Sequence, residues 1–320
     1  SLMSQYPAPR IGIIGTGAIG GFYGMLLARA GHDVHFLLRS EYSTVVERGL
    51  QLNSAVHGAL NLAPVQAYQH VDEMPPCDWL LVGAKTTANA ELAPLIAKAA
   101  APGAQVVLLQ NGLAVEDELR PLLSDDLHLL GGLCYICVHR SAPGVIEHQA
   151  LGAINLAYHS GPLTDDEARL ALAEEGASLL RSTGLDSAAM RDLAQTRWQK
   201  LVWNIPYNGL SVLLDADTRR LMGNADSRAL IADMMQEVVQ AAQVLGYVMP
   251  DSYADKLLAA TQRMPDYLPS MYHDFAQGRP AELHAIYEAP LAAADAAGFD
   301  MPKVRALYQA LRFIQARREA

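Results

Sequence analysis

The fold of this chain is decided by Ile11-Gly12-Ile13-Ile14-Gly15-Thr16-Gly17-Ala18-Ile19-Gly20. The apolar beginning of this stretch predicts a buried strand, and residues 20–31 predict a helix directly after it. The G-x-G-x-x-G spacing permits a tight turn, close approach of a pyrophosphate and close packing of the helix on the strand. Since the helix then presents N–H groups to phosphates, we expect this turn to bind a dinucleotide. The cofactor-binding residues predicted here are Gly15, Thr16, Gly17, Ala18, Ile19 and Gly20.

Apolar runs and helical stretches alternate through the rest of the first half. The predicted strands are 34–38, 79–82 and 106–109, and the predicted helices include 88–100 and 114–123. This alternation predicts right-handed crossovers and a mostly parallel sheet. Three further strands, 127–138, 145–148 and 153–159, are expected to close the sheet in partly antiparallel pairing, before a helix over 165–182.

The second half is almost entirely helical in its pattern. Apolar residues recur at spacings of three and four through 190–214, 229–245, 253–262 and 283–297. Gly246, Gly278 and Gly298 are helix stop signals. A length of 320 residues predicts two domains. We therefore predict an α/β chain with an N-terminal Rossmann-type dinucleotide-binding domain, 3–187, and a C-terminal all-helical domain, 188–320.

The composition disfavours several classes of protein. Hydrophobic residues make up 51% of the chain and charged residues 18%, which is enough apolar material for sizeable cores and too little charge for disorder. A net charge of −10 argues against a nucleic-acid surface and against a polybasic membrane contact. No apolar run reaches the roughly 18 residues of a membrane span, and no signal peptide is visible. We expect a cytoplasmic protein that acts on a small molecule.

Arg39 stands at the end of the second predicted strand. Sites for NAD place an acidic residue there to bind the ribose 2′-hydroxyl, whereas a guanidinium pairs bidentately with a 2′-phosphate. Arg39 therefore favours NADP(H). Glu41 nearby is a counter-argument, and a solvated surface arginine is the alternative interpretation.

Two further groups of polar residues follow strand ends. Lys85 comes after strand 79–82, and Gln110-Asn111-Gly112 comes after strand 106–109. Ligands of open α/β sheets bind outside the carboxyl ends of the strands, so Lys85 and Asn111 are candidates for contact with a nicotinamide or a substrate. The alternative is that these residues only satisfy their own turns.

Lys200, Asn204 and Asn208 recur at intervals of four residues. On a helix they form one polar row, each member one turn from the next. Large apolar neighbours tend to lower the pKa of a lysine, which then can donate a proton near neutral pH. A solvated helix face is the alternative, but two asparagines, which are poor helix formers, make it less attractive. Pro206 within this segment should kink the helix or free a carbonyl.

A block near the C-terminus completes a recognisable set of motifs. It reads Ser270-Met271-Tyr272-His273-Asp274-Phe275-Ala276-Gln277-Gly278-Arg279-Pro280-Ala281-Glu282. Together with the glycine turn, Arg39, Lys85, the Gln110-Asn111-Gly112 segment and the Lys200 row, it resembles the ketopantoate reductase (2-dehydropantoate 2-reductase) family over nearly the whole chain. The block is similar to the family's S-M-x-x-D…G-R-x-T-E-I-D segment without gaps. The shared order and spacing make the set specific.

The resemblance implies NADPH-dependent reduction of a 2-keto acid, ketopantoate or a close analogue, to the 2-hydroxy acid in a cleft between two domains. The catalytic residues would be Lys200, which donates a proton to the nascent alkoxide, and Glu282, which lies beside the substrate hydroxyl and the nicotinamide. Asn204, Asn208 and Ser270 would bind substrate, Ser270 at its carboxylate. Lys85 and Asn111 would line the cofactor side, and Cys137 would lie near the cofactor. A homodimer and a role in pantothenate biosynthesis also follow from the resemblance.

The sequence departs from the family pattern around the substrate. Tyr287-Glu288 stands where the family commonly has Asn-Gly, and Tyr267 replaces a frequent asparagine. Residues 215–218, Asp-Ala-Asp-Thr, stand where another asparagine is often found. The predicted catalytic residues match the family pattern, whereas the residues around the substrate do not. We therefore expect reduction of a 2-keto acid, which need not be ketopantoate itself. Tyr287 is an alternative acid.

The cysteines and histidines do not indicate a metal site. Cys134 and Cys137 match the C-x-x-C pattern, but an odd separation within a strand points the two thiols to opposite faces. No second pair is nearby to complete a zinc site. We therefore expect no metal and no disulfide.

Two other functions remain open on the sequence. One is a different two-domain hydroxyacid or opine-type dehydrogenase, which the block from Ser270 to Glu282 disfavours. The other is a non-catalytic NADP-sensing protein, which would need the glycine turn but neither Lys200 nor Glu282.

Overall fold

The chain folds into two compact units in a computed structural model that describes residues 8–15, 17–85 and 89–319. The sheet unit consists of the described residues of Ser1–Gln110 together with Glu116–Leu193. The helical unit consists of Asn111–Val115 together with the described residues of Ala194–Ala320. The predicted limits 3–187 and 188–320 stay a prediction, and the sequence pattern did not indicate that Asn111–Val115 packs with the later helices.

The sheet unit is built on one large mixed sheet. Its strands are β1 (Arg10–Ile14), β2 (Asp33–Leu37), β3 (Leu50–Ser54), β4 (Gly58–Leu62), β5 (Ala67–Tyr68), β6 (Cys77–Val82), β7 (Ala100–Leu108), β8 (His128–Ala142), β9 (Val145–Ser160) and β10 (Ser187–Met190). The described strands lie in the order β4-β3-β9-β8-β7-β6-β1-β2-β5, with β10 beside β9. The helices that accompany them are α1 (Ala18–Arg29), α2 (Tyr42–Arg48), α3 (Asn89–Ala99), α4 (Val115–Leu119) and α5 (Asp166–Arg181).

The centre of this sheet is parallel, as the sequence predicts. Strand β1 pairs in parallel with both β2 and β6, and β6 pairs in parallel with β7. The chain therefore reverses its strand order beside β1, which makes that position a topological switch point. Because the strands are parallel, the residues that follow β1, β2, β6 and β7 emerge at the same edge of the sheet.

The antiparallel part of the sheet differs in detail from the prediction. Strand β8 and strand β9 form one long hairpin, whereas the sequence predicts two separate strands over 145–148 and 153–159. Residues 149–152 interrupt the apolar pattern, and Leu151 and Gly152 have φ values of 68° and 141°. The pairing continues because register shifts in the hairpin absorb these irregular residues. The β3–β4 hairpin is not indicated by the sequence pattern.

The helical unit contains helices at the four stretches that the second half predicts, and three further helices outside those stretches. They are α6 (Leu193–Leu213), α7 (Thr218–Met222), α8 (Ala225–Val244), α9 (Tyr253–Arg263), α10 (Ser270–Ala276), α11 (Ala289–Ala296) and α12 (Pro302–Glu319), with a π-helical turn at His284–Glu288. The predicted stops at Gly246, Gly278 and Gly298 are confirmed, since each follows a helix with a positive φ. Their core includes Trp198, Ile205, Met235 and Tyr287.

Among the helices of residues 8–15, 17–85 and 89–319, none has both the length and the apolar composition that a bilayer crossing requires.

Candidate active site

The glycine turn links β1 to α1 in the geometry that the sequence predicts. Gly15 has a φ of +78°, and a Cβ there would lie 2.4 Å from the backbone nitrogen of Ala84. A Cβ on Gly20 would lie 2.6 Å from the carbonyl oxygen of Gly15, so both positions exclude a side chain. Thr16, predicted to bind cofactor, lies outside the described residues.

The start of α1 suits a diphosphate group. Its N-cap is Gly17, which forms no side-chain cap, and its first turn holds no acidic residue. A Cβ on Gly17 would meet nothing within 4 Å, so the approach to the turn is open at this point. The first N–H groups of a helix attract anions. The residues present, including Ala18 and Ile19 in the first turn, therefore fit a dinucleotide.

Arg39 follows β2 at the same edge of the sheet. Its side chain is 73% exposed, and its Nη1 lies 3.9 Å from Oε2 of Glu91. An exposed pair of this length contributes little, so the guanidinium can turn towards an incoming anion.

The contacts of Glu41 remove it as an argument against NADP(H) binding beside Arg39. The Glu41 carboxylate is buried, with one oxygen accepting a hydrogen bond from Arg140 and the other from the backbone N–H of Gly144 at 3.1 Å. Because both oxygens are engaged in the sheet unit, this carboxylate is not presented to a ribose hydroxyl.

The ends of β6 and β7 lie next to the glycine turn. Gly83 N–H donates to the carbonyl of Ile14 at 2.8 Å, and Gln110 Nε2 donates to the carbonyl of Ala84 at 2.8 Å. Lys85 follows as a partly buried residue. The strand-end residues that the sequence selects in the sheet unit are therefore gathered at one edge.

Asn111 begins the short segment that packs with the helices. Leu113 N–H donates to the carbonyl of Ala285 at 2.8 Å. Gly112 has a φ of +101°, and a Cβ there would lie 2.5 Å from the carbonyl carbon and oxygen of Ala285. Only glycine permits so close an approach of the two backbones.

Lys200, Asn204 and Asn208 all lie on α6, which continues through Pro206. The predicted polar row is therefore confirmed as a helical row, and at 1.5 Å per residue it extends over about 12 Å. Asn204 and Asn208 are buried, at 6% and 3% exposure, so they do not belong to a solvated helix face.

Lys200 and Asn111 meet directly, although 89 residues separate them in the chain. Lys200 Nζ donates to Asn111 Oδ1 at 2.6 Å, in a partly buried position. A hydrogen bond from an ammonium is shorter and stronger than one between neutral groups. This contact joins the proposed proton donor to a residue predicted for the cofactor side.

The far end of the row contacts the C-terminal block. Asn208 Oδ1 accepts from the backbone N–H of Met271 at 3.4 Å, and Ser270 is the first residue of α10. The Ser270 side chain is partly buried. Asp274 and Arg279, two charged residues of the block, form an ion pair at 3.2 Å.

Glu282 is buried, at 6% exposure, just before the π-helical turn. Its carbonyl accepts from the N–H of Ile286 at 3.2 Å. Glu282 thus stands three residues before Ala285, the residue on which the Asn111 segment packs.

Arg197 is a polar residue of this region that the sequence pattern does not select. It is 2% exposed, and its Nη1 donates to the carbonyl of Gly112 at 3.1 Å. One feature of the sequence is consistent with its position: Arg197 stands three residues before Lys200, and residues at i and i+3 share a helix face.

Comparison with known proteins covers nearly the whole chain. The family model described as Ketopantoate reductase PanE/ApbA matches residues 11–161, and its C-terminal counterpart matches residues 192–315. The 2-dehydropantoate 2-reductase of Nostoc sp. (strain PCC 7120) is 39% identical over 310 residues, which are 95% of this chain and 95% of that protein. This chain belongs to the ketopantoate reductase family. The resemblance read from the sequence is confirmed.

Solved structures agree with the family assignment. The crystal structure of 2-dehydropantoate 2-reductase from Geobacter metallireducens GS-15 is 38% identical, with a TM-score of 0.86 over 95% of this chain and 99% of that chain. The ternary structure of D-mandelate dehydrogenase with NADH and anilino(oxo)acetate is 19% identical, with a TM-score of 0.83 over 97% of this chain and 99% of that chain, and so shares the fold. The protein is an oxidoreductase of the ketopantoate reductase type.

One departure from the ketopantoate reductase pattern has a structural explanation. Tyr287 is fully buried, and its hydroxyl donates to the carbonyl of Ile205 in α6 at 2.5 Å. Gly209 makes room for it, since a Cβ there would lie 2.4 Å from the Tyr287 hydroxyl oxygen. Burial raises the pKa of this phenol well above its usual value. These contacts give Tyr287 a place in the core of the helical unit, and its interpretation as an alternative acid stays a prediction.

The other departures also have identifiable contacts. Glu288 is exposed and accepts from the Tyr308 hydroxyl at 2.6 Å. Thr218 exchanges backbone and side-chain hydrogen bonds with Tyr267 at 3.0 Å, and Asp217 caps α7 by accepting from Arg220 N–H at 2.9 Å. These contacts account for the local packing of the four residues.

Neither cysteine of the C-x-x-C pattern is exposed. Cys134 and Cys137 are buried on β8 and unbridged, and burial raises the pKa of the Cys137 thiol to about 12. In the described ranges, no group of three or more histidine, cysteine or acidic residues is placed to hold a metal ion. The suggested contact of Cys137 with cofactor stays a prediction.

Proposed function

We propose that this member of the ketopantoate reductase family reduces a 2-keto acid, ketopantoate or a close analogue, to the 2-hydroxy acid with NADPH. Lys200 supplies the proton. The observation that carries the proposal is the 2.6 Å hydrogen bond from Lys200 Nζ to Asn111 Oδ1, because it holds a cationic proton donor at a defined position. Reduction of ketopantoate would make this a step of pantothenate biosynthesis, as the family implies.

The sheet unit supports NADPH as the cofactor. Gly15 and Gly20 allow the close packing of the turn, and Gly17 has open space beside it at the start of α1, where a diphosphate would bind. Arg39 stands where a 2′-phosphate would require a cation, and Glu41 is engaged by Arg140 and Gly144. Lys85, Asn111, Cys137 and Glu282 complete the proposed set of cofactor contacts. A reduced nicotinamide in this site supplies a hydride to a carbonyl carbon.

The helical unit supports the acid role of Lys200. When a ketone carbon receives hydride, negative charge develops on its oxygen, and an ammonium stabilises that charge as it delivers the proton. Asn111 restricts the flexible side chain of Lys200 so that Nζ is oriented before substrate binds. Glu282, the second proposed catalytic residue, would add a carboxylate that favours the charged lysine.

The proposed substrate contacts follow the same helix row. Asn204 and Asn208 are buried amides that can donate to and accept from a substrate hydroxyl or carbonyl. Ser270, whose neighbour Met271 is bonded to Asn208, would bind the carboxylate. The row would thus orient the keto group towards Lys200 and the carboxylate towards α10.

The test is NADPH oxidation over a panel of 2-keto acids that includes ketopantoate, other branched keto acids and an aryl keto acid. Lys200→Ala should lower kcat by about 10²- to 10⁴-fold, the range of general acid catalysis, and should leave NADPH affinity nearly intact. Lys256→Ala, an exposed lysine on α9, is the matched control and should turn over as the wild type does. Oxidation of no keto acid would favour an NADP-binding protein without turnover, and normal turnover by Lys200→Ala would remove the assigned proton donor.

A further inference from the structure

We propose that Arg197 is a positioning residue, which holds the Asn111-Gly112-Leu113 segment so that Asn111 orients Lys200 for proton transfer. The inference rests on the proposed function of Lys200. The geometry that carries it is a chain of two hydrogen bonds, from Arg197 Nη1 to the Gly112 carbonyl at 3.1 Å and from Lys200 Nζ to Asn111 Oδ1 at 2.6 Å.

The position of Lys200 Nζ requires a partner that is itself held in place. A lysine carries its ammonium on a four-carbon stem with many rotamers, so its own backbone does not determine where Nζ lies. Asn111 provides such a partner, but it belongs to a loop segment that follows β7. The position of Lys200 Nζ therefore depends on how firmly the loop holds Asn111.

Three contacts hold the loop within the helical unit. Leu113 N–H donates to the carbonyl of Ala285 at 2.8 Å, and Arg197 donates to the carbonyl of Gly112. Gly112 packs directly on the backbone of Ala285. Of these contacts, the one from Arg197 starts on α6 only three residues before Lys200, so the loop is fixed relative to the helix that carries the proton donor.

The chemistry of Arg197 favours this role over ordinary packing. Arg197 is 2% exposed, and burial of a charge is unfavourable unless polar groups compensate it. An apolar side chain would pack on the neighbouring core without that penalty. A guanidinium instead offers several N–H groups in a rigid planar arrangement, which suits a backbone carbonyl that must be held in one place.

Hydrogen exchange tests whether Arg197 holds the loop, and it needs no substrate. In Arg197→Met, the Leu113 amide should exchange at least about tenfold faster, as expected for the loss of a hydrogen bond from a charged donor. Arg228→Met is the matched control, because Arg228 Nη1 also donates to a backbone carbonyl, that of Met222 at 3.2 Å. Unchanged exchange at Leu113 in Arg197→Met would overturn the proposal.

A double-mutant cycle tests whether Arg197 acts through Asn111. Arg197→Met and Asn111→Ala should each lower kcat by about 10- to 100-fold, because a displacement near 1 Å in a catalytic group has effects of that size. Non-additive effects are expected for residues in one network, so the double variant should turn over nearly as fast as Asn111→Ala alone. If the two factors multiply, Arg197 has a separate role and the proposal is wrong.

A conservative variant covers the case in which Arg197→Met does not fold. Arg197→Lys keeps the charge and a donor that can reach the carbonyl, and it replaces Arg197→Met in both experiments, where it should show smaller losses of kcat and of Leu113 protection. If the wild type reduces no keto acid, the proposed function fails, and the exchange of Leu113 in Arg197→Met or Arg197→Lys still decides whether Arg197 holds the loop.

Discussion

Replacing Gly112 by alanine should disturb the loop that positions Asn111 more than an ordinary glycine substitution does. A Cβ on Gly112 would lie 2.5 Å from the carbonyl carbon and oxygen of Ala285. Since non-bonded carbon atoms favour about 3.5–4.0 Å, the loop must move by about 1 Å. The φ of +101° adds backbone strain, because side chains are disfavoured there.

The expected magnitudes follow from these two effects. Overpacking typically costs about 1–3 kcal/mol and a strained φ about 1–3 kcal/mol, while the lower entropy of the unfolded alanine chain offsets about 0.4–1 kcal/mol. We expect Gly112→Ala to lose about 2–4 kcal/mol of unfolding free energy. A 1 Å displacement of Asn111 should lower kcat by about 10²-fold.

Gly298→Ala separates strain from steric overlap. Gly298 lies in the same helical unit with a φ of +75°, and a Cβ there would meet nothing within 4 Å. Urea unfolding should therefore show a loss near 1 kcal/mol for this variant, and kcat should be that of the wild type. Equal stability losses in the two variants, together with wild-type kcat in Gly112→Ala, would refute the packing argument.

Three other variants test separate parts of the molecule. Arg39→Ala should lower kcat/KM with NADPH by about 10- to 100-fold, as for loss of a charged hydrogen bond, and leave that with NADH unchanged; equal losses with both cofactors would contradict the 2′-phosphate role. Tyr287→Phe should lose about 1 kcal/mol in urea unfolding and keep the same keto-acid preference, whereas a changed preference would place Tyr287 in the site. Burial lowers the pKa of His148, so the folded state resists its protonation and stability should fall as the pH drops below the unfolded value of about 6.5. His148→Asn should show a shallower loss in urea midpoints measured down to about pH 5, and an unchanged slope would assign the effect to other groups.

Much of the fold can be predicted because its signals are local. The strand, glycine turn and helix from Ile11 onward are adjacent in the chain, and their periods and turn residues determine them without distant partners. The same holds for the row on α6, since a spacing of four residues becomes one face of a helix wherever that helix lies. The β8–β9 hairpin is harder, because pairing with β8 carries β9 through residues that interrupt its own pattern.

The sequence by itself determined the fold class, the dinucleotide turn, the candidate proton donor and the family. Only the tertiary structure decided which side chains meet across long separations in the chain. Asn111 reaches Lys200 over 89 residues, and Tyr287 reaches the carbonyl of Ile205 over 82. Such contacts depend on how helices and loops pack, and no local period records that packing. For this reason the sequence indicates Lys200 but not Arg197, whose hydrogen bond to the Gly112 carbonyl exists only in the packed helical unit.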